Sequence, residues 1–173
     1  MTTQAGLDLA TYYSGSVREK LCTARRLYQQ HGPRLLRNRD VARSLQALRH
    51  KAAALDRQMQ AMQMGARCRA CAARIGGGCC SSYMAGNTDA VVLLINLLLE
   101  VAIEPIDNGD ECCYLEPGGC MFTIKPIFCL NYNCSHIHQA ATKEEMEALD
   151  MRAGALLSEQ VELEKLLLQL VGK

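Results

Sequence analysis

Nine of the ten cysteines in the chain fall between Cys68 and Cys134. They are spaced Cys68-x2-Cys71-x7-Cys79-Cys80 and then Cys112-Cys113-x6-Cys120-x8-Cys129-x4-Cys134. Packing alone does not call for so many thiols so close together, and two of the positions are vicinal pairs. In a reducing compartment such a pattern means metal or redox chemistry more often than disulfides. The segment therefore reads as a metal-thiolate core, with the sequence on either side as its holder.

The location follows from the flanks. Residues 1–16 lack a basic stretch followed by an apolar run, so no secretory signal is read there and a cytoplasmic location is expected. The longest apolar run, 90–103, is interrupted by Asn96 and Glu100 and falls short of the roughly 20 residues a bilayer requires. It reads as a buried helix, and no membrane partner is expected.

The flanks themselves are helical in pattern. Aromatics are only 5% of the residues while Leu, Ala, Met and Val are plentiful, which favours aliphatic helix packing. A first helix is expected over Leu7–Gln30, ended by Gly32-Pro33. In it Cys22 reads as a small buried hydrophobe. A second is expected over Leu35–Met64, where Val41, Leu45, Leu48, Ala52, Leu55, Met59 and Met62 step by alternating fours and threes in a heptad seam. The methionines at its end read as core filler before soft metal ligands. After Gly65, residues 67–73 read as irregular, and Gly76-Gly77-Gly78 as a turn that lets a loop wrap a metal. Asn87 or Thr88 caps the buried helix, which runs to Ile103. Pro117-Gly118-Gly119 is a turn, and Met121–Ile124 a short strand. Thr142 and Glu145 form a capping box for a last helix reaching Val171. There Met146, Leu149, Ala153, Leu156, Gln160, Leu163, Leu167 and Leu170 make a second seam.

The fold class expected is thus mostly α: long antiparallel helices around an irregular cysteine-rich metal-binding core with at most a short β-hairpin. A single domain spans 1–173, with an N-terminal helical hairpin (1–66), the metal core with one buried helix (67–138) and a C-terminal helix (139–173).

Charge is distributed unevenly. Residues 1–75 hold 14 Lys and Arg against 4 Asp and Glu, and residues 76–173 hold 5 against 14. Such asymmetry can mark nucleic-acid binding. Because the two excesses nearly cancel and fall on helices, the preferred reading is a basic helix lying against an acidic one, within one chain or across a homodimer or a helical protein partner.

Thiolate is a soft donor that selects zinc, copper(I) or iron–sulfur clusters. Zinc and a cubane cluster each take about four ligands, so nine cysteines exceed one site. Neighbouring side chains of an extended chain point to opposite sides. The pairs Cys79-Cys80 and Cys112-Cys113 therefore suit two centres, or two edges of a polynuclear one, better than one mononuclear ion. A lone CxxC fails the zinc-ribbon template, and the spacings miss the ferredoxin patterns. The residues by themselves leave the metal open. His136 and His138 follow the last cysteine and can offer imidazole nitrogen, although exposed loop histidines are the commoner case. No phosphate loop, dinucleotide fingerprint, nucleophile elbow or EF-hand is present.

The runs Cys68-x2-Cys71, Gly78-Cys79-Cys80, Cys113-Tyr114-Leu115 with Gly119-Cys120, and Lys125-Pro126-Ile127-Phe128-Cys129-Leu130-Asn131-Tyr132-Asn133-Cys134 together resemble the CxxCxxCC zinc- or iron-chelating family. The resemblance covers 68–134, and its closing motif is the most specific part. The chain departs from the pattern in the seven residues between Cys71 and Cys79, in Lys125 where the family has Arg, and in the extra Cys112. A similar cysteine pattern occurs in flagellin lysine methylases, which are iron–sulfur proteins. The resemblance implies Cys68, Cys71, Cys79, Cys80, Cys113, Cys120, Cys129 and Cys134 as ligands, with Cys112 as a substitute for Cys113. It favours one or two iron–sulfur clusters of the 4Fe-4S type, used in electron transfer, redox sensing or cluster handling. The alternatives are a structural zinc module that binds a partner and a reductase with an unusual cluster.

Overall fold

The computed structural model describes residues 10–72, 78–130 and 134–172. Within them the chain is mostly helical with one two-stranded antiparallel ribbon. The expected turn at Gly76-Gly77, the start of the first expected helix and Asn131-Tyr132-Asn133 of the closing motif lie outside the described residues.

The N-terminal helix is divided. A short α1 (Ala10–Tyr13) stops at Gly15, whose φ of 99° no longer fits a helix, and α2 (Val17–Arg37) starts afresh. Ser16 and Glu19 make a reciprocal capping box at that start. Pro33 does not end α2 but lies inside it. It sits in the last turns with its ring exposed, where few hydrogen bonds remain to lose. Downstream, Leu35 is 0% exposed, so burial holds the final turn in place. Cys22 is exposed on α2, not buried as its apolar neighbours suggested.

Asn38 is both the C-cap of α2 and the N-cap of α3 (Arg39–Ala61). Its backbone N–H donates to Leu35 O at 3.0 Å, and its side chain accepts from the N–H groups of Asp40 and Val41. One residue thus closes the corner between the two long helices. The seam of α3 is buried at Val41, Leu45, Leu48, Ala52 and Leu55. It lies against α8 (Lys143–Val171), whose Leu149, Ala153, Leu156, Gln160, Leu163 and Leu167 are buried in turn. Lys51 pairs with Glu159 at 2.8 Å and Gln58 Nε2 donates to Glu145 O at 3.4 Å, so the two helices run antiparallel. The basic and acidic seam helices therefore meet inside one chain.

Between α3 and α4 (Met64–Ala72) the break falls at Gln63, with φ of 54°, and not at Gly65. Residues 67–72, expected to be irregular, are helical: Ala and Arg are good helix formers and no proline intervenes. A short α5 (Ser82–Gly86) follows, capped by Ser81. The buried helix is α6 (Ala90–Leu98), shorter than expected and capped by Asp89 instead of Asn87 or Thr88. Asp89 accepts from Val91 N and Val92 N at 2.8 and 2.9 Å. Glu100, with φ of 65°, turns the chain out of the core.

Residues 101–130 form the rest of the cysteine region. The strands are β1 (Leu115–Glu116) and β2 (Gly119–Cys120), pairing Leu115 with Cys120 around Pro117-Gly118. They replace the strand expected at 121–124, and Gly119, with φ of 124°, supplies the conformation the return requires. A 3-10 turn (Ile127–Leu130) and the short α7 (Ser135–His138) precede α8, which opens on the Thr142–Glu145 capping box as expected. Among the described residues no helix is long and apolar enough to cross a membrane.

Candidate metal centre

Six pieces of chain bring the cysteines together. On α4, Cys68 and Cys71 are three residues apart and share a helical face. That helix packs against α7, whose N-cap is Cys134. The segment 78–81 runs beside 110–112: Ser81 and Glu111 form an antiparallel bridge, and the N–H of Cys112 donates to Cys80 O at 3.0 Å. The hairpin then supplies Cys120, and the 3-10 turn supplies Cys129.

These pieces enclose a cavity of about 320 Å³. Its wall includes Cys68, Cys71, Cys79, Cys80, Cys112, Cys120, Cys129 and Cys134. Of the cysteines implied by the resemblance, Cys113 is the one not on this wall; Cys112 is there instead. The carbonyl of Cys113 accepts the N–H of Ile106 at 2.8 Å, which uses its backbone to fasten the 104–107 segment. His136 lies on the wall, whereas His138 is exposed on α7.

Two clamps hold the wall together. Lys125 Nζ, itself on the wall, reaches Asp56 of α3 at 3.3 Å. The Arg69 guanidinium of α4 donates to the carbonyl of Pro117 at the hairpin turn. From beneath, Asn96 of α6 bonds the backbone of Ile124.

The thiols are tuned as a group. Burial, and then the charges of Cys68, Cys112, Cys120 and Cys129, push the Cys80 thiol up to about 12. Burial followed by Cys120 and Cys112 does the same to Cys129, also to about 12. Cys112 is raised to about 11, chiefly by burial. Cys134 is raised to about 11 by burial and then by Cys79, whose sulfur lies 3.5 Å from its own. Burial also raises Cys68 and Cys120. Without a metal these groups are neutral thiols at physiological pH, and each would ionise only with a cation to compensate it.

Among the described residues no three Cys, His, Asp or Glu side chains already stand close enough to hold a metal ion. The chemistry of the donors nevertheless fits a soft metal or a sulfide cluster. Eight thiols face one cavity, and the one carboxylate among its lining residues, Asp56, is paired with Lys125. Two buried polar atoms of wall residues have no hydrogen-bond partner among the described residues, Tyr114 Oη and His136 Nε2. Orphaned polar atoms are rare in folded proteins, and both would find partners in a thiolate-held group. Glycines 65, 118 and 119 on the wall leave room for the closure that binding requires.

Sequence spacing alone did not single out Tyr114, Arg69, Asp56 or Phe128 as wall or clamp residues. Only Tyr114 carried a usable signal, as the residue that follows a vicinal cysteine pair. Arg69 and Asp56 look like any exposed helix charge until the cysteine segment folds over them. No family model, characterised protein or solved structure matches the chain.

Proposed function

We propose that the chain is a metal-thiolate protein whose cavity holds an iron–sulfur group, serving electron transfer, redox sensing or cluster handling. A single observation carries the reading: eight cysteines from separate segments converge on one cavity whose one lining carboxylate, Asp56, is ion-paired. Membership of the CxxCxxCC metal-chelating family is part of the same proposal, on the motif residues between Cys68 and Cys134.

The residues that would hold the group are Cys68, Cys71, Cys79, Cys80, Cys112, Cys120, Cys129 and Cys134. When bound, an iron–sulfur group supplies one-electron chemistry that no side chain here offers. The chain's own part is to deliver soft donors, exclude water with Phe122, Leu115 and Ile137, and surrender thiol protons on loading. Lys125 stays near the sulfurs, where its charge lowers the cost of ionising Cys120 and Cys129. The setting that suits such a site is the reducing cytoplasm, and a second copy or helical partner would meet faces other than the covered seams.

A structural zinc site is the second reading, favoured by the unpartnered Nε2 of His136 on the same wall, since mixed Cys/His donor sets are typical of zinc. Anaerobic purification, a visible spectrum, and iron, zinc and acid-labile sulfide measured on one sample separate the two. A brown protein with stoichiometric iron and sulfide supports the cluster. A colourless protein with stoichiometric zinc and no sulfide overturns it in favour of zinc.

A further inference from the structure

We propose that the cavity thiols form two four-cysteine centres, Cys68, Cys71, Cys79 and Cys134 in one and Cys80, Cys112, Cys120 and Cys129 in the other, with Cys113 in neither. The proposal rests on the metal-thiolate reading and adds to it which thiols share a centre.

The first group is assembled by helix packing. Cys68 and Cys71 lie three residues apart on α4, α4 packs on α7, and Cys134 is the N-cap of α7. Cys79 joins them through the 3.5 Å approach of its sulfur to that of Cys134. The second group is assembled by backbone pairing. Cys80 and Cys112 are tied by the 3.0 Å bond from Cys112 N to Cys80 O. The carbonyl of Cys112 accepts from Leu115 N at 2.9 Å, and Leu115 is the hairpin partner of Cys120. Cys129, on the 3-10 turn that follows the hairpin, lines the same cavity and completes the second group.

The division falls within the vicinal pair, with Cys79 beside Cys134 and Cys80 tied to Cys112. A peptide whose two side chains diverge can serve two centres while holding them side by side. Cys79 is exposed and Cys80 is half-buried, as that divergence requires.

Anaerobic titration of the full reduced chain with cobalt(II) tests the partition, because thiolate-to-cobalt charge transfer counts four-sulfur sites directly. The wild type should take up two cobalt ions per chain. Cys71→Ser and Cys129→Ser should each take up one, their combination none, and Cys113→Ser two. Cys134→Ser and Cys120→Ser repeat the two arms if either first variant loses its far-ultraviolet helical signal. Cobalt uptake that falls to one in Cys113→Ser, or vanishes entirely in either single variant that keeps its helical signal, overturns the partition and leaves the thiolate reading standing. A wild-type chain that shows no charge transfer at all overturns that reading, and the partition with it.

Discussion

Asn96 and Ile124 hold each other by a reciprocal pair of hydrogen bonds. Ile124 N–H donates to Asn96 Oδ1 at 3.0 Å, and Asn96 Nδ2 donates to Ile124 O at 2.8 Å and to Val92 O at 2.9 Å. Asn96 is 0% exposed in the middle of the most apolar helix. A polar residue there is tolerated because each of these groups has a partner. What it secures is the position of the chain between Cys120 and Cys129, which no regular strand or helix fixes.

Replacing Asn96 with Leu should therefore cost more than its better hydrophobicity returns. It leaves the N–H and C=O of Ile124 buried without partners, a loss of about 3 kcal/mol. Urea unfolding of the metal-free protein measures it. A stability equal to wild type would show that the pair does not anchor the loop.

The metal-free protein should weaken as pH rises above about 9. Cys80, Cys112 and Cys129 have folded values above the ordinary 9.0, so between that value and about 11 or 12 the unfolded chain loses protons that the folded chain keeps. The stability they contribute is complete below 9.0 and is lost as pH climbs through the folded values. Cys129, the more deeply buried, should contribute up to about 1.4 kcal/mol per pH unit, and the other two less because solvent screens them. Anaerobic denaturation at pH 8 and pH 10 reads the slope, and Cys129→Ala should flatten it.

Tyr114 packs on Phe122 with ring centroids 4.4 Å apart and is 1% exposed, yet its hydroxyl lacks a partner among the described residues. Tyr114→Phe should raise metal-free stability by about 1 kcal/mol, or roughly 2–4 °C in Tm. Loading with zinc should reverse the sign, because a thiolate accepts an O–H that phenylalanine does not have. Paired thermal melts with and without zinc decide the matter.

Lys51 hydrogen-bonds Glu159 across the α3–α8 seam, and this bond is the leading reason that the Glu159 carboxyl lies below its ordinary 4.5. A depressed carboxylate adds stability above that value and loses it as pH falls through the folded value. Lys51→Met should cost about 0.5 kcal/mol at pH 7 and almost nothing near pH 3. An equal loss at both pH values would assign the effect to packing of the lysine stem.

Pro33 should be replaceable at a profit in stability. Alanine restores an N–H that the helix can use and removes the ring from an exposed position within α2. A gain of about 1 kcal/mol is expected, less than the full interior penalty because the site is near the helix end. A lower thermal midpoint for Pro33→Ala would mean that the ring packs usefully against its surroundings.

The helical frame was legible because its signals are local and repeated. The alternating steps from Val41 to Leu55 and from Leu149 to Leu167 are each buried as the periodicity demands. Thr142 and Glu145 announce the last helix by chemistry that acts within four residues. Punctuation was less reliable. Pro33 stands inside a helix and Gly65 inside another, because tertiary burial of Leu35 and Met64 outweighs local preference. The hairpin fell before residue 121 because the turn at Pro117-Gly118, not side-chain alternation, sets where strands pair. That the cysteines gather around one cavity could be anticipated from their density alone. Which of Cys112 and Cys113 faces inward could not, because it depends on the backbone bonds to Cys80 and Ile106, which join residues distant in sequence or outside any regular element.

The sharing of Asn38 between α2 and α3 bears on the order in which the molecule comes together. A corner of one residue has almost no slack, so these helices can pair as soon as both have left the ribosome, at little cost in loop closure. The surface they build is still open at that moment, because its other wall, α8, is translated after the whole cysteine segment. Every cysteine of the loop emerges in the interval between them. The thiols are thus laid onto a waiting cradle, and the chain is latched over them only after the last has appeared.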